Sequence, residues 1–265
     1  MWLIMSDYAT IAYAADAPIA RVTLNRPDKR NPIGPLTAGE LLHAFGRARD
    51  DDDIRVIVLT GAGKAFSAGG DLSMMAGGQG GAGESVAEPT SLVELLIGMH
   101  ALGTPIIAMV NGHALAGGLG LMVACDLVVA SDKATFGTTE IRVGLWPMMI
   151  TAEITRNIGR KKTLELMLTG KRLSADEAAA IGLINKVVPH DSLETETMAL
   201  ANEIASKSPA TIRLGLQAFY ASQDMELEPA LRYLEGQLGA VLQLEDAREG
   251  LTAFFQKRDP VWKGR

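Results

Sequence analysis

Lys64-Ala65-Phe66-Ser67-Ala68-Gly69-Gly70-Asp71-Leu72 and Asn111-Gly112-His113-Ala114-Leu115-Ala116-Gly117-Gly118 are two versions of one local design. Each follows a strand-like apolar run, Ile54 to Thr60 before the first and Ile106 to Val110 before the second, and each precedes a stretch able to start a helix. Small residues let a ligand approach the main chain closely, and the first N–H groups of a helix have no internal partner. Two such donors aimed at one carbonyl oxygen make an oxyanion hole, worth roughly 10²–10³ in rate per donor. Taken alone, either glycine pair reads equally well as a tight turn.

Outward from these segments the chain alternates strand-like and helix-like stretches, which predicts an α/β fold of stacked β-β-α turns. Ala9 to Ala14 and Ile19 to Leu24 read as paired strands, and Leu36 to Arg49 as a helix with Leu36, Leu41, Ala44, Phe45 and Ala48 on its apolar face. Asp50 to Asp53 form an acidic turn with no second carboxylate cluster to complete a metal site, so a solvated loop is expected. A helix follows over Ser91 to Leu102. Gly78, Gly80 and Gly83 match the spacing of a dinucleotide-binding fingerprint, but no strand precedes them and no clear helix start follows; the stretch Gly77 to Gly83 reads as a surface loop. Beyond Ser206-Lys207-Ser208-Pro209 the sequence is mainly helical, with Leu214, Ala218, Leu231, Leu234, Leu238 and Leu242 at three- and four-residue spacing. We therefore divide the chain into a core carrying the site, residues 1–205, and a helical region, residues 206–265.

Composition excludes several functions. The 265 residues suffice for a large core, 48% are hydrophobic and only 5% aromatic, and the formal net charge of −6 argues against a nucleic-acid surface. A single cysteine, Cys125, permits no intramolecular disulfide and reads as a small buried hydrophobe ahead of a strand. No segment reaches the roughly 18 apolar residues of a membrane span, and Met1 to Met5 is too short and lacks the basic flank of a signal peptide. The expectation is a cytoplasmic protein with neither a membrane nor a nucleic-acid partner. His43, His100, His113 and His190 share no metal-binding spacing, and Ser67 is not in a Gly-x-Ser-x-Gly elbow.

Further motifs appear in a fixed order: Asn25-Arg26-Pro27-Asp28-Lys29-Arg30-Asn31, the two glycine segments, Cys125-Asp126 before the strand Leu127 to Ala130, Ala134-Thr135-Phe136-Gly137 leading to Glu140 and Gly144-Leu145, Leu168-Thr169-Gly170-Lys171-Arg172-Leu173-Ser174-Ala175, and Asp246-Ala247-Arg248-Glu249-Gly250. Together they resemble the crotonase superfamily of enoyl-CoA hydratases and isomerases, nearly end to end. The resemblance implies a crotonase-like spiral with a C-terminal helical layer that assembles homotrimers or dimers of trimers. It also implies an acyl-CoA thioester as substrate and no cofactor beyond the coenzyme A that the substrate carries. By position it assigns the oxyanion donors to the N–H groups of Gly70 and Gly117, a backbone contact with the CoA adenine to Ala68, and phosphate contacts to Lys29, Arg30 and Lys64. Lys257, late in the chain, is expected to reach the pocket, with Gly118 and Trp146 beside the substrate; the loop of residues 77–83, just after the first donor loop, is positioned to cover an acyl chain. Asp71 reads as a helix cap.

In the hydratases that this chain resembles, two glutamates hold a water and move a proton. Here the positions are Gly120 and Glu140, 20 residues apart, so one carboxylate is kept and the other is absent. Hydration needs a group to handle water and another to handle the α-proton; moving a double bond needs one base beside an enolate-stabilising hole. The resemblance therefore favours an isomerase using Glu140. A hydratase drawing a second carboxylate from Glu84 or Glu88, and a catalytically weak acyl-CoA-binding protein, are the alternatives. Trp146 and Met148-Met149 depart from the hydratase pattern and are expected to make an apolar pocket wall.

Overall fold

The computed structural model describes residues 3–5, 7–71 and 85–265, with side chains from residue 7 onward. The glycine-rich stretch 77–83 and Glu84 therefore lie outside the described residues, as does the segment that Asp71 was expected to cap.

Eleven strands among the described residues form two sheets. In chain order they are β1 (Leu3–Met5), β2 (Ile11–Asp16), β3 (Ile19–Leu24), β4 (Val56–Gly61), β5 (Ala65–Ser67), β6 (Ile106–Val110), β7 (His113–Leu115), β8 (Leu127–Ser131), β9 (Thr135–Gly137), β10 (Leu173–Ser174) and β11 (Lys186–Val188). The larger sheet runs β1-β2-β3-β4-β6-β8-β11 and the smaller β10-β9-β7-β5. Three successive units send their first strand to the large sheet and their second to the small one: β4 then β5, β6 then β7, β8 then β9. Equivalent strands of successive units pair in parallel, β4 to β6 to β8 in one sheet and β5 to β7 to β9 in the other. This repeat is the stacked spiral that the alternating sequence predicts.

Helices fill the spaces between turns: α1 (Pro35–Arg49), α2 (Leu92–Ala101), α3 (Gly117–Val123), α4 (Met148–Thr169), α5 (Ala175–Ala180) and α6 (Leu193–Ala205). The large sheet is covered on both faces at β4, which is why this strand is buried throughout and apolar from Val56 to Leu59 rather than alternating. Its Ile57 and Leu59 pack with Leu41, Phe45 and Leu95 on one side, and its Val56 and Val58 with Leu193, Ala201 and Ala205 of α6 on the other. Cys125 is buried as expected, and desolvation holds its thiol well above its ordinary pKa. Residues 51–53 of the acidic turn are exposed, and no group of three or more potential metal ligands occurs among the described residues.

Two strand boundaries differ from expectation for a physical reason. Strand β2 begins at Ile11 rather than Ala9, because the N–H groups of Ala9 and Thr10 donate to the fully buried Glu40 carboxylate at 2.6 and 2.8 Å instead of to a ladder. Thr10 Oγ1 donates to the same carboxylate. Likewise β4 starts at Val56, since the Ile54 N–H closes a turn on Asp51 O at 3.0 Å. Strand β2 also runs on to Asp16, two residues past the expected Ala14, and the other expected ends fall within a residue: Pro35 occupies the first turn of α1, where a missing N–H costs nothing, and the Ser91 side chain caps α2 by accepting from Glu94 N.

The last three helices, α7 (Pro209–Ser222), α8 (Leu227–Val241) and α9 (Glu245–Gln256), behave differently. No residue of α8 is buried, and Leu227, Leu231, Leu238 and Leu242 are all more than half exposed. The periodic leucines of α8 therefore do not cover the chain's own core, whereas Ala218 of the same stripe, on α7, is buried.

Candidate active site

Parallel pairing of β5, β7 and β9 sets the ends of three strands in a row. Ala65 pairs with His113 and Ser67 with Ala114, so equivalent points of two consecutive units stand side by side. Ala114 and Leu115 pair in turn with Phe136 and Gly137. Just beyond the row come Gly70, Gly117 and Glu140, in that order.

The first donor loop is held from below by the residues before it in sequence. Asn31, buried with φ 54°, accepts from Arg26 N at 2.9 Å and donates through Nδ2 to the carbonyls of Ala62, Ala65 and Phe66. Ser67 Oγ donates to Asn31 O and accepts from Gly69 N, and Ala68 N donates to Arg30 O. Ile33 N then bonds Gly69 O at 2.8 Å and Asp71 N bonds Ile33 O at 3.3 Å. A parallel bridge of this kind uses the residues on either side of Gly70 and turns the Gly70 N–H away from Ile33. Asp71 is buried and pairs with Arg26 at 3.1 Å.

The second loop meets the first without spare room. At Gly69, φ 103° already favours glycine, and a Cβ would lie 2.6 Å from the Ala116 Cβ and 3.1 Å from Gly117 N. A Cβ on Gly117 would lie 3.5 Å from Gly70 N, so the two main chains touch at the donor positions. Gly117 opens α3, where its N–H has no intrahelical acceptor. Before it Ala116 holds the rare conformation φ 50°, ψ −132°, tied by its N–H to Gly137 O at 2.8 Å. Gly118 does not line the cavity. A Cβ there would meet the Ser67 side chain at 2.6 Å, so it is the glycine that lets α3 seat on β5.

These ends open into a cavity of about 460 Å³, within the range of small-molecule sites. Ala68, Gly70, Gly117, Glu140 and Trp146 line it together with Leu145, Pro147, Met148, Met149 and Ile150, the apolar wall expected from the sequence. Ile33, Pro35, Ala38 and residues 90–92 complete it from segments that no motif pointed to. Glu140 is the one ionisable side chain among the described residues lining it. It begins a 3-10 turn (Glu140–Val143); its Oε2 is buried and has no hydrogen-bond partner among the described residues, and desolvation raises its pKa above the usual carboxylate value. Lys29, Arg30, Lys64 and Lys257 are exposed and do not line the cavity. Lys29 and Arg30 belong to the turn that flanks Ala68, whereas Lys257 terminates α9. Glu88 is exposed and off the cavity.

The histidines are bound elsewhere: His43 to Tyr8, His113 to Thr135, His190 to Ser131, and His100 to Glu153 while stacked on Tyr220.

The sequence profile of the enoyl-CoA hydratase/isomerase family matches residues 14–265. The chain belongs to that family. A Thermus thermophilus relative named provisionally as an enoyl-CoA hydratase is 39% identical over 243 residues, covering 91% of this chain and 96% of its own. The rat enoyl-CoA hydratase domain-containing protein 3, mitochondrial, is 38% identical over 245 residues, 92% of this chain and 81% of the relative. The crystal structure of a Geobacillus kaustophilus enoyl-CoA hydratase subunit superposes with TM-score 0.88 at 34% identity, covering 98% of this chain and all of that one. The spiral is thus the crotonase fold, and acyl-CoA thioesters are the substrates that enoyl-CoA hydratase/isomerase family membership fits. No helix of the described residues is long and apolar enough to cross a membrane.

Proposed function

We propose that this chain isomerises the double bond of an enoyl-CoA, with Glu140 as its only acid/base and the N–H groups of Gly70 and Gly117 as the oxyanion hole. The observation that carries the reading is the buried, unpartnered Glu140 Oε2 in a cavity whose other described lining side chains are apolar or hydroxyl-bearing. A carboxylate so placed takes the α-proton of a 3-enoyl thioester. The electron pair moves into the thioester oxygen, where two N–H donors stabilise the dienolate. Glu140 then returns the proton to the γ-carbon, and the double bond ends conjugated with the carbonyl. Atoms balance with no water consumed. Coenzyme A enters and leaves as part of the substrate, its phosphates met by Lys29, Arg30 and Lys64.

The same proposal includes assembly. The exposed leucines of α8, and Phe254 and Phe255 of α9, leave large apolar side chains in solvent, and a homotrimer or dimer of trimers would cover them. The compartment we propose is the cytoplasm.

The test is to offer purified protein a 3-enoyl-CoA in D2O and follow both the conjugated product and deuterium incorporation. Conversion without net water addition supports the reading. Exclusive conversion of 2-enoyl-CoA to its 3-hydroxy product refutes it.

A further inference from the structure

The position where the resembled hydratases carry their first glutamate is Gly120, and here it is physically closed. A Cβ built on Gly120 would stand 2.0 Å from Cγ2 and 2.6 Å from Cβ of Ile150, distances at which atoms overlap. Gly120 lies in α3 and Ile150 in the first turn of α4. Both residues are buried, and Ile150 is only 2% exposed while also lining the cavity. The missing carboxylate has therefore not left a water-filled vacancy beside Glu140; a branched apolar side chain stands in its place.

We propose that Ile150 is a specificity-determining residue that sets the reaction: its branched side chain takes the space of a second carboxylate, so that the site excludes the water a hydratase must hold and leaves Glu140 to work alone. This deepens the isomerase reading and rests on it. The chemistry follows from what each reaction consumes. Hydration puts the oxygen of a water on the β-carbon and a proton on the α-carbon, and that water needs polar partners to hold it in line. An apolar wall offers it none, and an unbonded water in such a wall is disfavoured. Proton shuttling between α- and γ-carbons needs no such partner. The wall also keeps Glu140 desolvated, which raises its basicity as a proton acceptor.

The two positions must then be coupled. Gly120→Glu alone drives its Cβ into Ile150 and displaces α3, whose first residue, Gly117, presents a main-chain donor. We expect it to lose isomerase activity at least tenfold without gaining hydration. Ile150→Gly removes both Cβ and Cγ2, the two overlapping atoms, and in that background Gly120→Glu should raise hydration of 2-enoyl-CoA at least tenfold over either single variant, read as loss of enone absorbance. Gly120→Ala supplies the control against misfolding: it should lower Tm in the wild type and lower it markedly less in Ile150→Gly, a non-additive cycle of the kind that contacting residues give. Additive Tm changes overturn the steric coupling. Non-additive Tm changes with no gain of hydration in the double variant overturn the claim that Ile150 sets the reaction. Hydration by Gly120→Glu alone, equal to that of the double variant, also overturns it. Failure of the isomerase reading itself is seen separately, as a wild type that neither isomerises 3-enoyl-CoA nor exchanges α-protons, and the Tm cycle stands apart from that result.

Discussion

The row of strand ends at Gly70, Gly117 and Glu140 and the leucine stripe of α8 are opposite ways of leaving groups unsatisfied. In the first, polar groups are left without partners inside an apolar cavity: a main-chain N–H turned out of its bridge, another at a helix start, and a carboxylate oxygen with nothing to accept. In the second, apolar groups are left without cover in solvent, with Leu231 59% and Leu238 58% exposed. Buried unpaired polar groups and broad exposed apolar surface are both costly, and each is the signature of a missing partner. For the row the partner we propose is a small polar molecule whose charge develops during reaction; for the stripe it is another apolar surface. Substitutions in the two regions should therefore separate cleanly into losses of chemistry and losses of assembly.

The largest effect should come from Glu140→Gln. It preserves size and hydrogen-bonding capacity but removes the proton carrier, and kcat should fall by roughly 10²–10⁴ with KM little changed. Steady-state kinetics on 3-enoyl-CoA check this, and an intact rate would remove Glu140 from the mechanism.

Next is Gly117→Pro. Proline at the first helical position deletes the donated N–H while sparing every bond inside α3, so turnover should drop by roughly 10²–10³, the weight of one oxyanion donor. A melting curve accompanies the assay, because proline also restricts the preceding residue and Ala116 is already at φ 50°. A folded variant with full activity would break the proposed pairing of the donors.

In the other region, Leu231→Glu combined with Leu238→Glu should lower the mass measured by light scattering to that of one chain. Neither residue lines the cavity, so substrate binding to each protomer is expected to persist. Unchanged mass would show that the stripe is not the contact.

How much of this was legible beforehand follows the same division. The donor loops could be read because their chemistry is local: glycine, a strand before and a helix after. Glu140 could be placed only through family resemblance, since one glutamate between a threonine and an isoleucine carries no pattern of its own. The apolar wall was readable as composition from Trp146 to Ile150, but its opposite side was not. Ile33 and Ala38 come from one segment and Leu92 from another, and only the spiral brings the two to this cavity. Glu40 was missed for a related reason. It sits among apolar helix positions, and its partners, Ala9 and Thr10, lie 31 and 30 residues away. Nor could the sequence say that Ile150 fills the space at Gly120, because side-chain overlap between two helices has no signature in either helix alone.

The smallest effect tests the comparison from the side of stability. Burial raises the pKa of Glu140 above its value in the unfolded chain, so the fold prefers the protonated acid. Its favourable contribution is fully present below the unfolded value and is lost as pH rises through the folded one. At neutral pH the ionised carboxylate is then a burden on folding that Glu140→Gln relieves, the trade of stability for activity typical of a working site. The Tm of Glu140→Gln should accordingly match or exceed that of the wild type near pH 7, with the gap narrowing as pH falls toward the ordinary glutamate value. In parallel, the acid limb of the wild-type kcat/KM profile should lie above that ordinary value, because only the ionised group can take the proton. Paired thermal melts and rate profiles across pH check both statements. A variant less stable than the wild type at neutral pH and equally stable in acid would mean that the ionised carboxylate has a stabilising partner, and that Glu140 is a structural group rather than the free base at the end of the row.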